Sequence, residues 1–375
     1  MKRNLLFVVL LVGTLFSCKQ AEDKNKFNVT VEVKDFEGKQ VLIEKRAKDV
    51  WVGVDSTLVE NGLAKLSGDA PGNEFYFVSL EGVKGYVLFF AEPMAINISI
   101  DPTNIRDAII SGSPTQNRLK AFNDEYLGFD DVMADFYQAY KDAQSIADEN
   151  AQKLAEQRYD STERAKTKFL VDYVMVNNKD IVSHYLLSRN SYLFELDELE
   201  SMVKNFDQTV KSIYFDELVN RVQTLQRVAV GQTFIDFTME SADTGNIALS
   251  EKVGAKLLLV DFWASWCGPC RAENPNVVAV YNDFKNKGFD VYGVSFDSDR
   301  SKWLAAIGAD GLTWTHVSDL KGWGSAAGKL YGIQSIPQNL LLDEKGVIIA
   351  KNLRGEDLRN KVAELLADVK AIKSK

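Results

Sequence analysis

The chain has 375 residues, 46% of them hydrophobic and 26% charged, with a net charge of −9. That length fits two or three domains whose cores need no disulfide staples. The acidic balance, with no short basic cluster to offset it, excludes nucleic acid as an expected partner, because phosphate binding needs a basic surface.

The first seventeen residues stand apart. Lys2 and Arg3 precede an unbroken apolar run from Leu5 to Val12, and Ser17 and Cys18 follow shortly after. A basic start, a short apolar core and a small residue before a cut describe a secretory signal. The run is short for a spanning helix, so an uncleaved anchor is the weaker alternative. Lys19 to Lys26 is polar and reads as a flexible tether.

Residues 27–113 read as a small antiparallel β domain of the sandwich type. Val29, Val31 and Val33 alternate with polar residues, as do Ile96, Ile98 and Ile100. Glu37-Gly38, Glu60-Asn61-Gly62 and Glu81-Gly82 supply turns. Nothing in this stretch suggests catalysis. Residues 114–228 change to helical spacing, with Leu119, Phe122 and Tyr126, then Phe169, Tyr173 and Val176, then Leu218, Val222 and Leu225. Glycine is nearly absent, and a bundle or arm of four or five helices is expected, its aromatic stripe serving as core. His184 falls on one of these helices with no second ligand nearby and reads as structural.

From residue 229 to the end, β and α patterns alternate. Leu257 to Val260 is a continuous apolar strand leading into Asp261-Phe262-Trp263, and a helix follows Cys267. Val291 to Phe296 is another strand. Leu340 to Asp343 begins a hairpin that turns at Glu344-Lys345-Gly346, and Arg359 to Ile372 is a closing amphipathic helix. An α/β layer fold is expected.

The chemistry concentrates in Trp266-Cys267-Gly268-Pro269-Cys270. The chain has three cysteines, and Cys18 is the third. At a helix start, unpaired N–H groups and the positive end of the macrodipole favour a thiolate at Cys267. Cys267 is therefore expected to be the exposed nucleophile, and Cys270, one turn further in, the shielded resolving thiol. Gly268 permits close approach of a partner backbone, and Pro269 suits the first helical turn. Asp261 interrupts an apolar strand just upstream. Facing inward, it would have a raised pKa and exchange a proton with Cys270; facing outward, it would be an ordinary strand-end aspartate. Pro275 is expected to kink the helix. Ile336 and Pro337 precede the late strand and could offer backbone groups to a substrate strand, with the isomer of their peptide bond left open.

Taken together, "LLLVDFWASWCGPCRAENP" from Leu257 to Pro275, the lead-in from Gly231 to Phe237, "SIPQNLLLDEKG" and the start ending at Cys18 resemble the TlpA-like thiol–disulfide oxidoreductases. The resemblance is to the lipoprotein form common in Bacteroidetes, where a β domain often precedes the thioredoxin-like domain. The resemblance covers about residues 229–375, and is looser upstream. It implies that Cys267 attacks, Cys270 resolves, Asp261 is the buried acid and Pro337 the cis-proline. Trp266, Gly268, Pro269, Ile336 and Pro337 are then the substrate-binding residues. It implies a lipidated Cys18 and a periplasm-facing place in the cell envelope. Beyond the Cys267–Cys270 disulfide no cofactor or metal is implied. The implied partners are protein thiols and disulfides, a membrane electron donor and, through the lipid, the membrane itself. Residues Ser301 to Lys329 correspond to an insert whose Trp303, Trp314 and Trp323 either shape a substrate groove or, as favoured, pack inside.

Other readings fit less well. A zinc site lacks its second pair of ligands, since the only histidines are His184 and His316. Haem attachment needs histidine where Arg271 stands. A peroxidase would need a lone cysteine in a threonine-containing loop. A surface binding or scaffold protein with an accessory thioredoxin-like domain, or a disulfide oxidase or isomerase, remains the functional alternative to a reductase.

Overall fold

The computed structural model describes residues 25–47, 50–70, 74–243 and 245–368. The expected signal and Cys18 lie outside these residues, as does the tether up to residue 24; Lys26 already opens the first strand. The chain divides into two compact units, Met1–Asp124 and Glu125–Lys375.

Among the described residues the first unit holds eight strands: β1 (Lys26–Val33), β2 (Gln40–Ala47), β3 (Val50–Leu58), β4 (Leu63–Asp69), β5 (Phe75–Leu80), β6 (Val87–Phe90), β7 (Ala95–Ile100) and β8 (Ile109–Ser111). They form two sheets, ordered β4-β1-β7-β8 and β3-β2-β5-β6. Pairing is antiparallel throughout except between β1 and β7, which run parallel. The alternation seen in the sequence has its physical cause here. Val29, Val31 and Val33 of β1 and Ile96, Ile98 and Ile100 of β7 share one core with Val41, Ile43, Val78 and Phe89 of the other sheet. Two sheets burying their inner faces against each other make a sandwich. Gly38, Gly62 and Gly82 turn the chain with φ of 73°, 76° and 75°, a region that favours glycine.

Helix α1 (Pro114–Ser145) opens the helical stretch, followed by α2 (Glu149–Val176), α3 (Ile181–Asn190), α4 (Leu196–Asn205) and α5 (Ile213–Arg227). Asp148, Asp180 and Ser212 cap α2, α3 and α5, accepting from the N–H groups of Ala151, Val182 and Phe215. Leu218 and Val222 are buried. Val176, expected in the apolar stripe, is instead 80% exposed, because it is the last residue of α2 and lies past the packed part of the helix. His184 is fully buried, with Nδ1 3.0 Å from Ser212 Oγ and its ring against Phe206 and Phe215. Burial pulls its pKa down to about 4, so it is a neutral core residue.

The remainder contains β9 (Thr238–Ser241), β10 (Asn246–Ala248), β11 (Leu257–Trp263), α6 (Gly268–Phe284), β12 (Phe289–Ser295), α7 (Arg300–Asp310), β13 (Thr315–Ser318), α8 (Ala326–Tyr331), β14 (Gln338–Asp343), β15 (Ile348–Lys351) and α9 (Gly355–Asp368). The strands form one sheet, β10-β9-β13-β12-β11-β14-β15. Strand β11 lies between β12, parallel to it, and β14, antiparallel to it. All seven of its residues are buried, which is why it reads as an unbroken apolar run with one aspartate in it. Helix α6 packs against α7 and α9. Residues 231–234 run beside β15: Gly231 N–H donates to Ile348 O, Ile348 N–H to Gln232 O and Phe234 N–H to Gly346 O, each at 2.8 Å.

Candidate active site

Strand β11 ends at Trp263, and the chain turns through Ala264 to Trp266 into α6. Cys267 is the N-cap of that helix and Pro269 sits in its first turn, where a missing N–H costs nothing. Cys267 and Cys270 are joined as a disulfide. The N–H of Cys270 points at Cys267 Sγ from 3.2 Å, so an unpaired helix-terminal donor is already aimed at the sulfur that would carry negative charge. The carbonyl oxygen of Ile336 lies 3.7 Å from the same sulfur, and the Ile336–Pro337 bond is cis. Helix α6 continues through Pro275 to Phe284.

One expectation needs correcting. Cys267 is only 5% exposed and Cys270 only 1%. In this oxidised form the Cys267 sulfur is held in the disulfide and approached by the Ile336 carbonyl, so it is not the open thiol expected of a nucleophile. The exposed residues of the motif are its neighbours Trp266, Gly268 and Pro269.

Asp261 faces inward, 7% exposed, in register with Gly293 on β12 and Asn339 on β14. Burial, reinforced by the negative charge of Glu273, pushes its pKa up to about 7, while the charge of Arg354 pulls the other way. Glu273 and Arg354 also fix backbone around the site. Glu273 Oε1 accepts from Gly355 N–H at 2.7 Å, and Arg354 Nη2 donates to Pro337 O at 2.6 Å. Sequence reasoning missed both. Glu273 had a signal, since it follows Cys270 by one helical turn and so shares its face. Arg354 had none, because only the fold brings the loop after β15 to this place.

The start of α6 is clamped from the side. Arg271 makes a two-pronged contact with Asp310 at the end of α7, through Nε to Oδ2 and through Nη2 to Oδ1 at 2.6 Å. Asn274 Nδ2 donates to the same carboxylate at 2.6 Å, and Arg271 Nη1 reaches back to Ser265 O at 3.2 Å. Ser265 N–H in turn donates to the buried Asp297 at 2.9 Å, which also accepts from Ser295 Oγ at 2.7 Å. The three tryptophans of the insert divide. Trp303 is 0% exposed and Trp314 6%, so both are packing residues, whereas Trp323 is 51% exposed and 5.9 Å from Trp266 between ring centres.

A disulfide-forming cysteine pair at a helix N-terminus, with a buried acid on the central strand that leads into it and the Ile336 carbonyl facing its sulfur, defines a thiol–disulfide oxidoreductase of the thioredoxin fold. Its Cys267–Cys270 pair exchanges dithiol and disulfide with protein substrates. The redoxin family model matches residues 229–368, and a domain of unknown function, DUF4369, matches residues 27–119. The thioredoxin-like protein YneN of Bacillus subtilis is 34% identical over 136 residues, spanning 34% of this chain and 76% of that protein. Thiol-disulfide oxidoreductase ResA of Halalkalibacterium halodurans is 27% identical over 125 residues, spanning 33% of this chain and 69% of that one. Among solved structures, the thioredoxin domain of a thiol-disulfide oxidoreductase from Bacteroides vulgatus is 37% identical, covering 37% of this chain and 98% of its own, with a TM-score of 0.35. The chain belongs to the thioredoxin-like family.

Proposed function

We propose that this protein is a protein-disulfide reductase of the cell envelope, of the TlpA-like lipoprotein form, with residues 1–17 as signal and Cys18 as the lipidated, periplasm-facing anchor. The residues between Cys18 and β1 tether this anchor to a β domain (27–113), which a helical segment (114–228) and the catalytic domain (229–375) follow. The single observation that carries the reading is the Cys270 N–H aimed at Cys267 Sγ at the start of α6.

In the reduced form, the Cys267 thiolate attacks one sulfur of a substrate disulfide, forming a mixed disulfide and expelling the other substrate sulfur as a thiolate, which takes a proton from solvent. Asp261, ionised in about half the molecules near its pKa of about 7, accepts the proton of Cys270. The Cys270 sulfur then attacks Cys267 Sγ, releases the second substrate thiol and closes the disulfide. Two electrons pass to the substrate, and a membrane dithiol donor restores the pair. Trp266, Gly268, Pro269, Ile336 and Pro337 hold the substrate backbone across the site. The Gly268-Pro269 pair is that of thioredoxin and goes with a reducing potential of roughly −270 mV, which suits reduction of misoxidised envelope proteins or of apocytochrome cysteines.

Insulin reduction by the soluble chain, with the redox equilibrium against glutathione, tests the reading. Turnover that needs both cysteines, at a thioredoxin-like potential, is expected. A potential near that of strong oxidants would make the protein an oxidase, and absent turnover would leave a binding or scaffold role.

A further inference from the structure

Beside the disulfide, two large aromatic side chains stand half in solvent. Trp266 is 53% exposed and Trp323 51% exposed. Their rings are 5.9 Å apart and inclined at 58°. Trp323 rests on Phe296, which is 1% exposed, at 5.3 Å. Its backbone is held in place. Gly322 takes φ 53°, Gly324 N–H donates to Lys321 O at 2.9 Å and Ser325 N–H to Gly322 O at 3.0 Å. The Asp319 carboxylate pins both ends of this turn, accepting from Lys321 N–H at 3.2 Å and Ala326 N–H at 2.8 Å.

A tryptophan used only for packing ends up covered, as Trp303 and Trp314 are. An indole held by a fixed turn and left half bare, against a second bare indole, is the composition of a binding hot spot. Its position says what it binds. Trp266 is the chain neighbour of Cys267, so a polypeptide whose sulfur reaches Cys267 from the Trp266 side passes over this pair. An extended chain rises about 3.3 Å per residue, which brings the side chains one or two positions from the substrate cysteine onto the two rings.

Resting on the exchange reaction above, we propose that Trp323 and Trp266 form a specificity shelf that selects substrates carrying an aromatic or aliphatic side chain within two residues of the reacting cysteine. The two rings desolvate that side chain together, and the disulfide and the shelf are engaged as one surface.

The test uses the reduced full chain and short Gly/Ser peptides with one cysteine held as a mixed disulfide with a small thiol. Phe, Lys or Gly is placed one or two positions to either side of the cysteine. The wild-type protein is expected to prefer Phe over Gly by about tenfold in kcat/KM, the equivalent of about 1.4 kcal/mol. Trp323→Ala should bring that ratio to within about twofold, and Trp323→Phe should keep most of it. Because the readout is a ratio between peptides, a general loosening of the domain would not move it. Equal rates for Phe and Gly in the wild type, or a ratio that survives Trp323→Ala, overturns the shelf alone. Preference for Lys over Phe also overturns it, in favour of a cation held over the indole faces. No transfer to any peptide overturns the shelf and the reductase together.

Discussion

Arg354 donates a hydrogen bond to the Pro337 carbonyl at 2.6 Å, so the guanidinium that holds the loop facing Cys267 is also the charge that lowers the pKa of Asp261. One side chain therefore acts on both the loop position and the proton affinity of Asp261, which burial chiefly raises.

Removing that charge should move the reaction along the pH axis. Arg354→Met should raise the Asp261 pKa above about 7 and shift the acidic limb of the kcat/KM profile for insulin reduction to higher pH. Glu273→Gln removes the like charge and should shift the limb the other way, while still offering an oxygen to Gly355 N–H. A shift of both variants in the same direction would count against Asp261 as the group being titrated.

Asp261 also sets how stability changes with pH. Its folded pKa of about 7 lies above the ordinary aspartate value of 3.8, so between those values the folded protein binds more protons than the unfolded chain. Stability therefore falls as pH rises through this window and levels off above about pH 7, where the buried carboxylate is ionised in the folded state. At 1.36 kcal/mol per pKa unit the total is on the order of 4 kcal/mol. Oxidised Asp261→Asn should lack this slope and exceed the wild type at pH 8 by a few kcal/mol, as read by urea unfolding at pH 4 and pH 8. Parallel pH dependence in the two proteins would show that Asp261 is not a buried titrating acid.

The two cysteines should behave differently when separated. Cys270→Ser leaves Cys267 with no resolving partner and should accumulate mixed disulfides with substrate proteins, visible on non-reducing gels. Cys267→Ser should accumulate few. Equal trapping by both variants would reverse the assigned roles.

The clamp at the start of α6 should be worth measurable stability. Asp310→Ala leaves Arg271 and Asn274 without the carboxylate they share and should cost about 1–3 kcal/mol. Hydrogen bonding from Arg271 lowers the Asp310 pKa. Its contribution is therefore complete above the ordinary aspartate pKa and is lost as pH falls through the lower folded value. Arg271→Lys should recover only part, since an ammonium cannot match the two-pronged geometry. Chemical denaturation at pH 7 and pH 3 checks both points, and an unchanged midpoint for Asp310→Ala would show the pair to be a solvent-screened contact.

Local patterns made much of this legible in the sequence. The strand alternation at Val29 to Val33 and Ile96 to Ile100, the glycine turns, and the strand–CxxC–helix run around Cys267 are short-range signals, and each has a direct structural counterpart. What the sequence concealed depends on distant segments meeting. The parallel pairing of β1 with β7 joins strands that five others separate. Arg354 reaches Pro337 only once β14 and β15 have paired. The three insert tryptophans look alike in sequence, and tertiary packing alone separates the exposed Trp323 from the other two. The burial of Cys267 was hidden for the same reason, because the carbonyl facing its sulfur comes from Ile336.

The backbone bonds from residues 231–234 to β15 have a further consequence for handling the catalytic domain. Strand β15 is the last in its sheet, and an uncovered last strand is a template for another chain to join. The segment ahead of β9 occupies part of that row of donors and acceptors. A fragment begun at residue 229 keeps this cover, whereas one begun at β9 itself would bare the edge and be prone to aggregate through it.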